Sequence, residues 1–387
     1  MGATRLASTG RKPSESKSKR GMWPTTDDGK LVITQSMVSG FVQCPRETYY
    51  GIVLGLRPRI EKKPLTRGTW VHALLEERGK GGDWRKLHEE LTEKANRTTF
   101  EEETAGLAQE CYNILVSYEW VHRKEKLTAI AVELTVERPM FGGKVLYRGR
   151  IDIIWIDENG DVWLGDHKTH ADLPDWRYRE LAFQHYSYLW AVAKSPAYRK
   201  LRYKGKPLPQ PKGFIYDYCR TNAIKTPTLT LAGKQSRQLK PSGTTLPVYK
   251  EWLIDNNMAT IIKGKFLLAI EDANERAYVE SFLVELEHRD YSDTFRRDRM
   301  TFTPEQAERQ RKSFVTSARR LLTYKWDDPD CVERNLHACS GYMCNYKDLT
   351  VADLMHGSSD IEQRTKYVTT RDPLDYYPNQ KKAKAKK

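Results

Sequence analysis

A chain of 387 residues, 39% hydrophobic and 30% charged, has the composition of a globular protein and room for one large domain or two ordinary ones. It has no run of about 18 apolar residues, which excludes a membrane-spanning helix, and no internal repeat is visible. The net charge of +14 is concentrated at the ends: residues 1–21 carry a net +5 and the lysines of residues 381–387 another five, leaving +4 for everything between.

Along the chain, residues 1–33 read as a disordered basic tail rich in Ser, Lys and Arg. Such a tail holds any polyanion without sequence preference, and the hold weakens steeply with salt. Its Arg/Ser-rich, acid-poor composition is faintly like an organellar transit peptide, without the amphipathic helix. It also lacks the apolar stretch of a secretory signal. The six cysteines are therefore expected to stay reduced in a cytoplasmic setting, a host's if the source is viral. Helices are predicted at about 35–55, 65–79, 83–96 and 102–124, and strands at about 127–137, 145–156 and 162–168. A helix from near Asp175 to about 194, the strand Gly213–Tyr218, and helices near 247–264, 274–290 and 303–323 follow. A crossover helix after the third strand implies an α/β fold, a mixed central β-sheet flanked by helices. The Thr-, Lys- and Gly-rich stretch 221–246, with Pro227 and Pro241, reads as an insertion loop near DNA. Lys225, Lys234, Arg237 and Lys240 would be its phosphate contacts, and a solvated surface loop is an equal alternative. Residues 351–387 read as a polar basic tail.

The chemistry concentrates in the two strands Val145–Ile156 and Val162–Lys168, joined by Asp157-Glu158-Asn159-Gly160, whose Asn-Gly pair marks a hairpin. Asp166 and Lys168 are two residues apart in a strand and share a face, and Asp152 on the neighbouring strand can reach the same patch. An ordinary surface Asp–Lys pair would contribute only about 0–1 kcal/mol. Two carboxylates and an ammonium gathered at one spot make better sense around a divalent metal and a phosphodiester. Mg²⁺ and Mn²⁺ take oxygen ligands, commonly one or two carboxylates with water and substrate phosphate.

Four motifs occur in order: Gly68-Thr69-Trp70-Val71-His72, then Gly149-Arg150-Ile151-Asp152, then Asp166-His167-Lys168, then Gln184-His185-Tyr186-Ser187-Tyr188. Together they resemble the RecB-like branch of the PD-(D/E)XK nucleases, above all the CRISPR-associated RecB-like exonucleases and their bacteriophage relatives, over roughly residues 34–350. The second acidic position is Asp166 where many members carry Glu. The resemblance implies a restriction-endonuclease-like core with a helical N-terminal part and a C-terminal cysteine loop. It also implies metal-dependent exonuclease action on DNA, preferentially at single-stranded ends, in recombination, replication or repair. Carried over, it makes His72 a metal ligand, Asp152 and Asp166 the carboxylate ligands, the His167 carbonyl a further ligand, and Lys168 the catalytic lysine. Gln184 and Tyr188 would support the site and the DNA backbone from one helical face. Glu133 is a weaker candidate for an accessory acid.

The same resemblance extends to an iron–sulfur signature. Cys44, in FVQCPRETYY, matches the lone N-terminal ligand, and Cys339 and Cys344 match two of the C-terminal three. The last cysteine is missing: Lys347-Asp348-Leu349-Thr350 stands where it is sought. Cys331 is the candidate replacement, and a non-cysteine ligand, a zinc site or no metal are the alternatives. Cys111 and Cys219 read as buried small hydrophobes.

Overall fold

The computed structural model describes residues 23–59, 62–97, 101–175, 181–340 and 344–369. The basic segments 1–22 and 370–387, and residues 176–180 of the helix expected from Asp175, lie outside these. The chain divides into two compact units, Met1–Arg59 with Ser317–Lys387, and Ile60–Thr316.

The first unit begins with β1 (Leu31–Ile33), α1 (Gln35–Gln43), α2 (Pro45–Thr48) and β2 (Leu56–Pro58). Thr34 caps α1 by accepting the Met37 N–H at 3.2 Å. A single helix expected over 35–55 is broken after Gln43. Pro45 has no N–H and pushes the residue before it out of the helical region, and Cys44 is accordingly extended at φ −158°. A π-helical turn, Tyr49–Val53, follows, and Gly55 at φ +65° ends it.

In the second unit come α3 (Lys63–Gly79), α4 (Trp84–Asn96), α5 (Glu101–Val121), β3 (Thr128–Met140), β4 (Val145–Ile156) and β5 (Val162–His170). Next are α6 (Phe183–Val192), the short α7 (Pro196–Arg199), the small hairpin β6 (Arg202–Tyr203) and β7 (Lys206–Pro207), and β8 (Gly213–Arg220). The unit continues with α8 (Leu246–Asp255), β9 (Ala259–Ile262), β10 (Lys265–Leu268), α9 (Ala273–His288) and β11 (Phe295–Thr301). Beyond them run α10 (Pro304–Thr323), α11 (Leu336–Ser340), α12 (Lys347–His356), α13 (Asp360–Lys366) and β12 (Tyr367–Thr369), which pairs with β2.

The sheet of the second unit is mixed. β3 pairs antiparallel with β4, β4 antiparallel with β5, β5 parallel with β8, and β8 antiparallel with β11. Helices α3 and α6 both pack on it. Apolar residues of α3, α4 and α5 bury one another in a core that includes Leu74, Trp84 and Leu115, with Cys111 and Cys219 inside it. The β4–β5 turn is built on one carboxylate: Asp157 accepts the N–H groups of Asn159 and Asp161 at 3.0 Å and the Trp163 indole N–H at 3.0 Å. Gly160 supplies the positive φ of +82° that the turn requires.

Two expectations are corrected here, and one strand appears that the sequence did not announce. The helix expected over 247–264 stops at Asp255. Asn257 turns left-handed at φ +58°, and Lys263-Gly264, both at positive φ, close β9 onto β10 in a two-residue hairpin. The strand β11 appears where FRRDRMT offered no apolar alternation. It forms because β8, already paired on one side, presents an open ladder that all seven of its residues fill. Residues 351–369, expected to begin a polar tail, instead fold into the rest of α12, α13 and β12, with Ala352 and Tyr367 buried.

Candidate active site

Helix α3 carries its apolar residues Trp70, Val71, Leu74 and Leu75 into the core and leaves His72 half-buried at the sheet. Gly68 lets this helix come close. A Cβ there would lie 3.3 Å from Thr169 Oγ1 on β5, so a larger residue would press the helix away and carry His72 with it.

The β4–β5 ladder runs from Ile156↔Val162 to Ile153↔Gly165 and ends there. Asp152 and Asp166 are the next residues of the two strands, at the point where they part. Asp152 Oδ2 accepts the main-chain N–H of His167 at 3.0 Å and lies 3.3 Å from His72 Nδ1. Asp166, 2% exposed, accepts Gln184 Nε2 at 2.7 Å on one oxygen and is ion-paired with Lys168 on the other. The structure thus brings His72, Asp152, Asp166, Lys168 and Gln184 together. Tyr188, one turn beyond Gln184 on α6, is buried against Gly149, where a Cβ would come within 2.8 Å of its ring. That close approach explains the glycine in Gly149-Arg150-Ile151-Asp152.

The charges are held in tension. Burial alone would raise the Asp152 carboxyl, but His72 and Lys168 hold it well below the usual carboxylate range. Asp166 goes the other way. Burial and the nearby Asp152 raise it, and Lys168 only partly opposes them. Burial pushes the His72 imidazole down, yet Asp152 outweighs that and raises it. Glu133 faces this group from β3, in a left-handed conformation at φ +53° and ion-paired with Arg150 at 2.6 Å. Burial, with Asp152 and Glu76 adding to it, pushes its carboxyl up to about 7 despite Arg150. Of the two carboxylates, Asp166 is the one left short of positive charge, and a divalent cation bound here would supply it. The donors are hard oxygens, as Mg²⁺ or Mn²⁺ requires. Among the described residues no three His, Cys, Asp or Glu side chains form a ready-made cage, because the carboxylates here are turned onto their protein partners.

On the opposite side of β5 lies a group that the sequence motifs do not mark. His167 turns its ring onto Asp217 of β8, which also receives Tyr118 and Arg297. The only sign of it in the sequence is a lone acidic residue inside the apolar run GFIYDYCR. Two residues expected to contact phosphate are otherwise engaged. Lys234 pairs with Asp272 at 2.6 Å, and Arg237 pairs with the buried Glu275 and covers Tyr278. They pin the 221–246 segment to the start of α9, while Lys225 and Lys240 remain exposed.

The cysteines of the first unit converge only in part. Cys44 and Cys339 lie with sulfurs 4.0 Å apart, and Cys344 is hydrogen-bonded with Cys339. The Cys339 thiol also donates to Thr350 Oγ1 at 3.9 Å. Cys331, the expected fourth ligand, is instead exposed and donates to Asp328 at 2.9 Å. It sits on a one-turn 3-10 helix capped by that same aspartate, which fixes its thiol on the surface.

No helix of the described residues is long and apolar enough to cross a membrane. No curated protein sequence matches the chain. The family model of the PD-(D/E)XK nuclease superfamily matches residues 32–349, a span that takes in all four motifs and most of the length, and the chain belongs to that superfamily.

Proposed function

We propose that the chain is a metal-dependent deoxyribonuclease of the RecB-like branch, close to the CRISPR-associated and bacteriophage exonucleases. It would hydrolyse phosphodiester bonds at single-stranded DNA ends in recombination, replication or repair. The observation that carries this reading is the meeting of Asp152, Asp166 and Lys168 where β4 and β5 part, with His72 beside them. Asp152 and Asp166 would hold Mg²⁺ or Mn²⁺, with His72 and the His167 carbonyl at its margin. Bound there, the metal would lower the pKa of water and offset charge on the phosphate. Lys168 stands where it can orient a water, take its proton, or neutralise charge developing on phosphorus. Gln184 fixes one oxygen of Asp166, leaving the other to Lys168. The test is digestion of end-labelled linear, blocked-end and closed circular DNA with each metal. Open ends should be degraded while the circle survives. Cleavage of the circle would replace the exonuclease reading with an endonuclease one, and no cleavage of any substrate would overturn both.

The iron–sulfur part of the resemblance meets a donor set that does not fit a four-cysteine cluster. Three thiols are gathered, and beside Cys339 stands the buried hydroxyl of Thr350, 3.9 Å away, instead of a fourth thiol. Burial, then the neighbouring Cys44 and Cys344, push the Cys339 thiol up to about 12, so it stays protonated without a metal. We therefore expect wild-type protein purified without oxygen to hold little iron, and Cys331→Ala to change nothing. Thr350→Cys should complete the set and yield brown protein with iron and acid-labile sulfide. An iron-rich wild type that loses its iron on Cys331→Ala would show that Cys331 does supply the fourth thiolate.

A further inference from the structure

His167 lies between Asp166 and Lys168 in the chain, but alternate residues of a strand face opposite ways. Asp166 and Lys168 face α6, which supplies Gln184, whereas the His167 ring enters the side occupied by α5. There it is gripped. Its partner across the parallel register is Asp217, 2% exposed, whose Oδ2 lies 2.9 Å from His167 Nδ1. The same carboxylate accepts Tyr118 Oη at 2.5 Å and Arg297 Nε at 2.9 Å. Trp155 meets the ring edge-on at 5.7 Å. With Tyr118 and Arg297 both donating to it, the carboxylate stands as the acceptor that faces His167 Nδ1.

The main chain of the same histidine does the work on the other side. Its N–H donates to Asp152 Oδ2 at 3.0 Å, in place of the ladder bond lost where the strands part. A side chain tethered at the far face restrains rotation of the peptide N–H beside it. We propose that Asp217 is a positioning residue for the nuclease site: through the His167 ring it fixes the main chain that aims the Asp152 carboxylate. It rests on the metal-nuclease reading given above. The competing role for Asp217 is structural only, as a counter-charge for the partly buried Arg297, and that role would not pass through His167.

The discriminating readout is Mn²⁺ binding to full-length protein, measured by titration calorimetry without DNA. Asp217→Asn and His167→Phe should each weaken Mn²⁺ binding by about tenfold or more, the range seen when outer partners of metal ligands are removed. The double variant should bind no more weakly than the poorer single one, because both changes cut one tether. His167→Gln, which can still donate to Asp217, should recover most of the affinity. If Asp217→Asn does not fold, the contrast between His167→Gln and His167→Phe decides. Wild-type affinity in folded Asp217→Asn or in His167→Phe, additive losses in the double variant, or equal losses for Gln and Phe would each overturn the proposal. An Asp152→Asn control separates the two levels. If it leaves Mn²⁺ binding intact, the metal-site reading itself fails. If it abolishes binding while Asp217→Asn does not, only the positioning role fails.

Discussion

Lys168→Ala protein should bind DNA with nearly wild-type affinity, melt near the wild-type temperature, and cleave at least about 10²–10³-fold more slowly, the loss typical when one preorganised charge is removed from a transition state. The small effect on stability follows from the charges around it. Asp166 is already raised by burial and by Asp152, so losing its ammonium partner lets it take up a proton instead of standing as an uncompensated buried charge. Gln184 continues to hold one of its oxygens. Single-turnover cleavage at saturating DNA is the right measurement, because it separates the chemical step from binding and release. Undiminished cleavage in purified Lys168→Ala protein would remove this site from the mechanism.

Gly165→Ala should be among the most disruptive one-atom changes in the sheet. A Cβ there would fall 2.1 Å from the Trp155 ring and 2.8 Å from a methyl carbon of Ile153, and both neighbours are buried. Neither can retreat cheaply, since Trp155 is itself packed against His167 and Arg297. Overpacking of this kind costs about 2–3 kcal/mol, or roughly 5–10 °C in unfolding midpoint. Gly165 is also the last residue of β5 paired with β4 before Asp166, so its displacement should reduce cleavage in the fraction that still folds. Gly106→Ala provides the control. Nothing lies within 4 Å of its added methyl, and alanine favours the α5 helix, so its midpoint should hold or rise. Equal midpoints for the two variants would contradict the packing described for Gly165.

The β4–β5 hairpin that carries the candidate site is legible in the sequence because its information is local. β-Branched alternation and Asn159-Gly160 define both strands, and a spacing of two places Asp166 and Lys168 on one face. What stays hidden depends on distant partners. β11 carries Arg296, Arg297, Asp298 and Arg299 and has no apolar rhythm; its strand state comes from pairing with β8. Asp217 reads as an oddity until β5 and β8 set it beside His167. Counting thiols favours Cys331 as the missing ligand, whereas the turn of α12 that buries Thr350 decides which side chain meets Cys339. Lys234 and Arg237 look like free cations until α9 presents Asp272 and Glu275.

The excursion between β8 and β11 leaves and re-enters the sheet at one point. Cys219 faces Phe295 in the ladder, and the Arg220 N–H donates to the Thr294 carbonyl at 2.8 Å. Most of what lies between them, including α8, the β9–β10 hairpin and α9, is gathered around a cluster that contains Tyr249, Leu253, Val279 and Phe282, while Ile224 and Val248 pack into the α3–α5 core. Segments whose ends meet in this way can be exchanged in evolution or in engineering without re-registering the strands on either side. The edge that carries Asp152 and Asp166 and the inserted segment are then free to diverge at different rates, with the β8–β11 ladder as the seam between them.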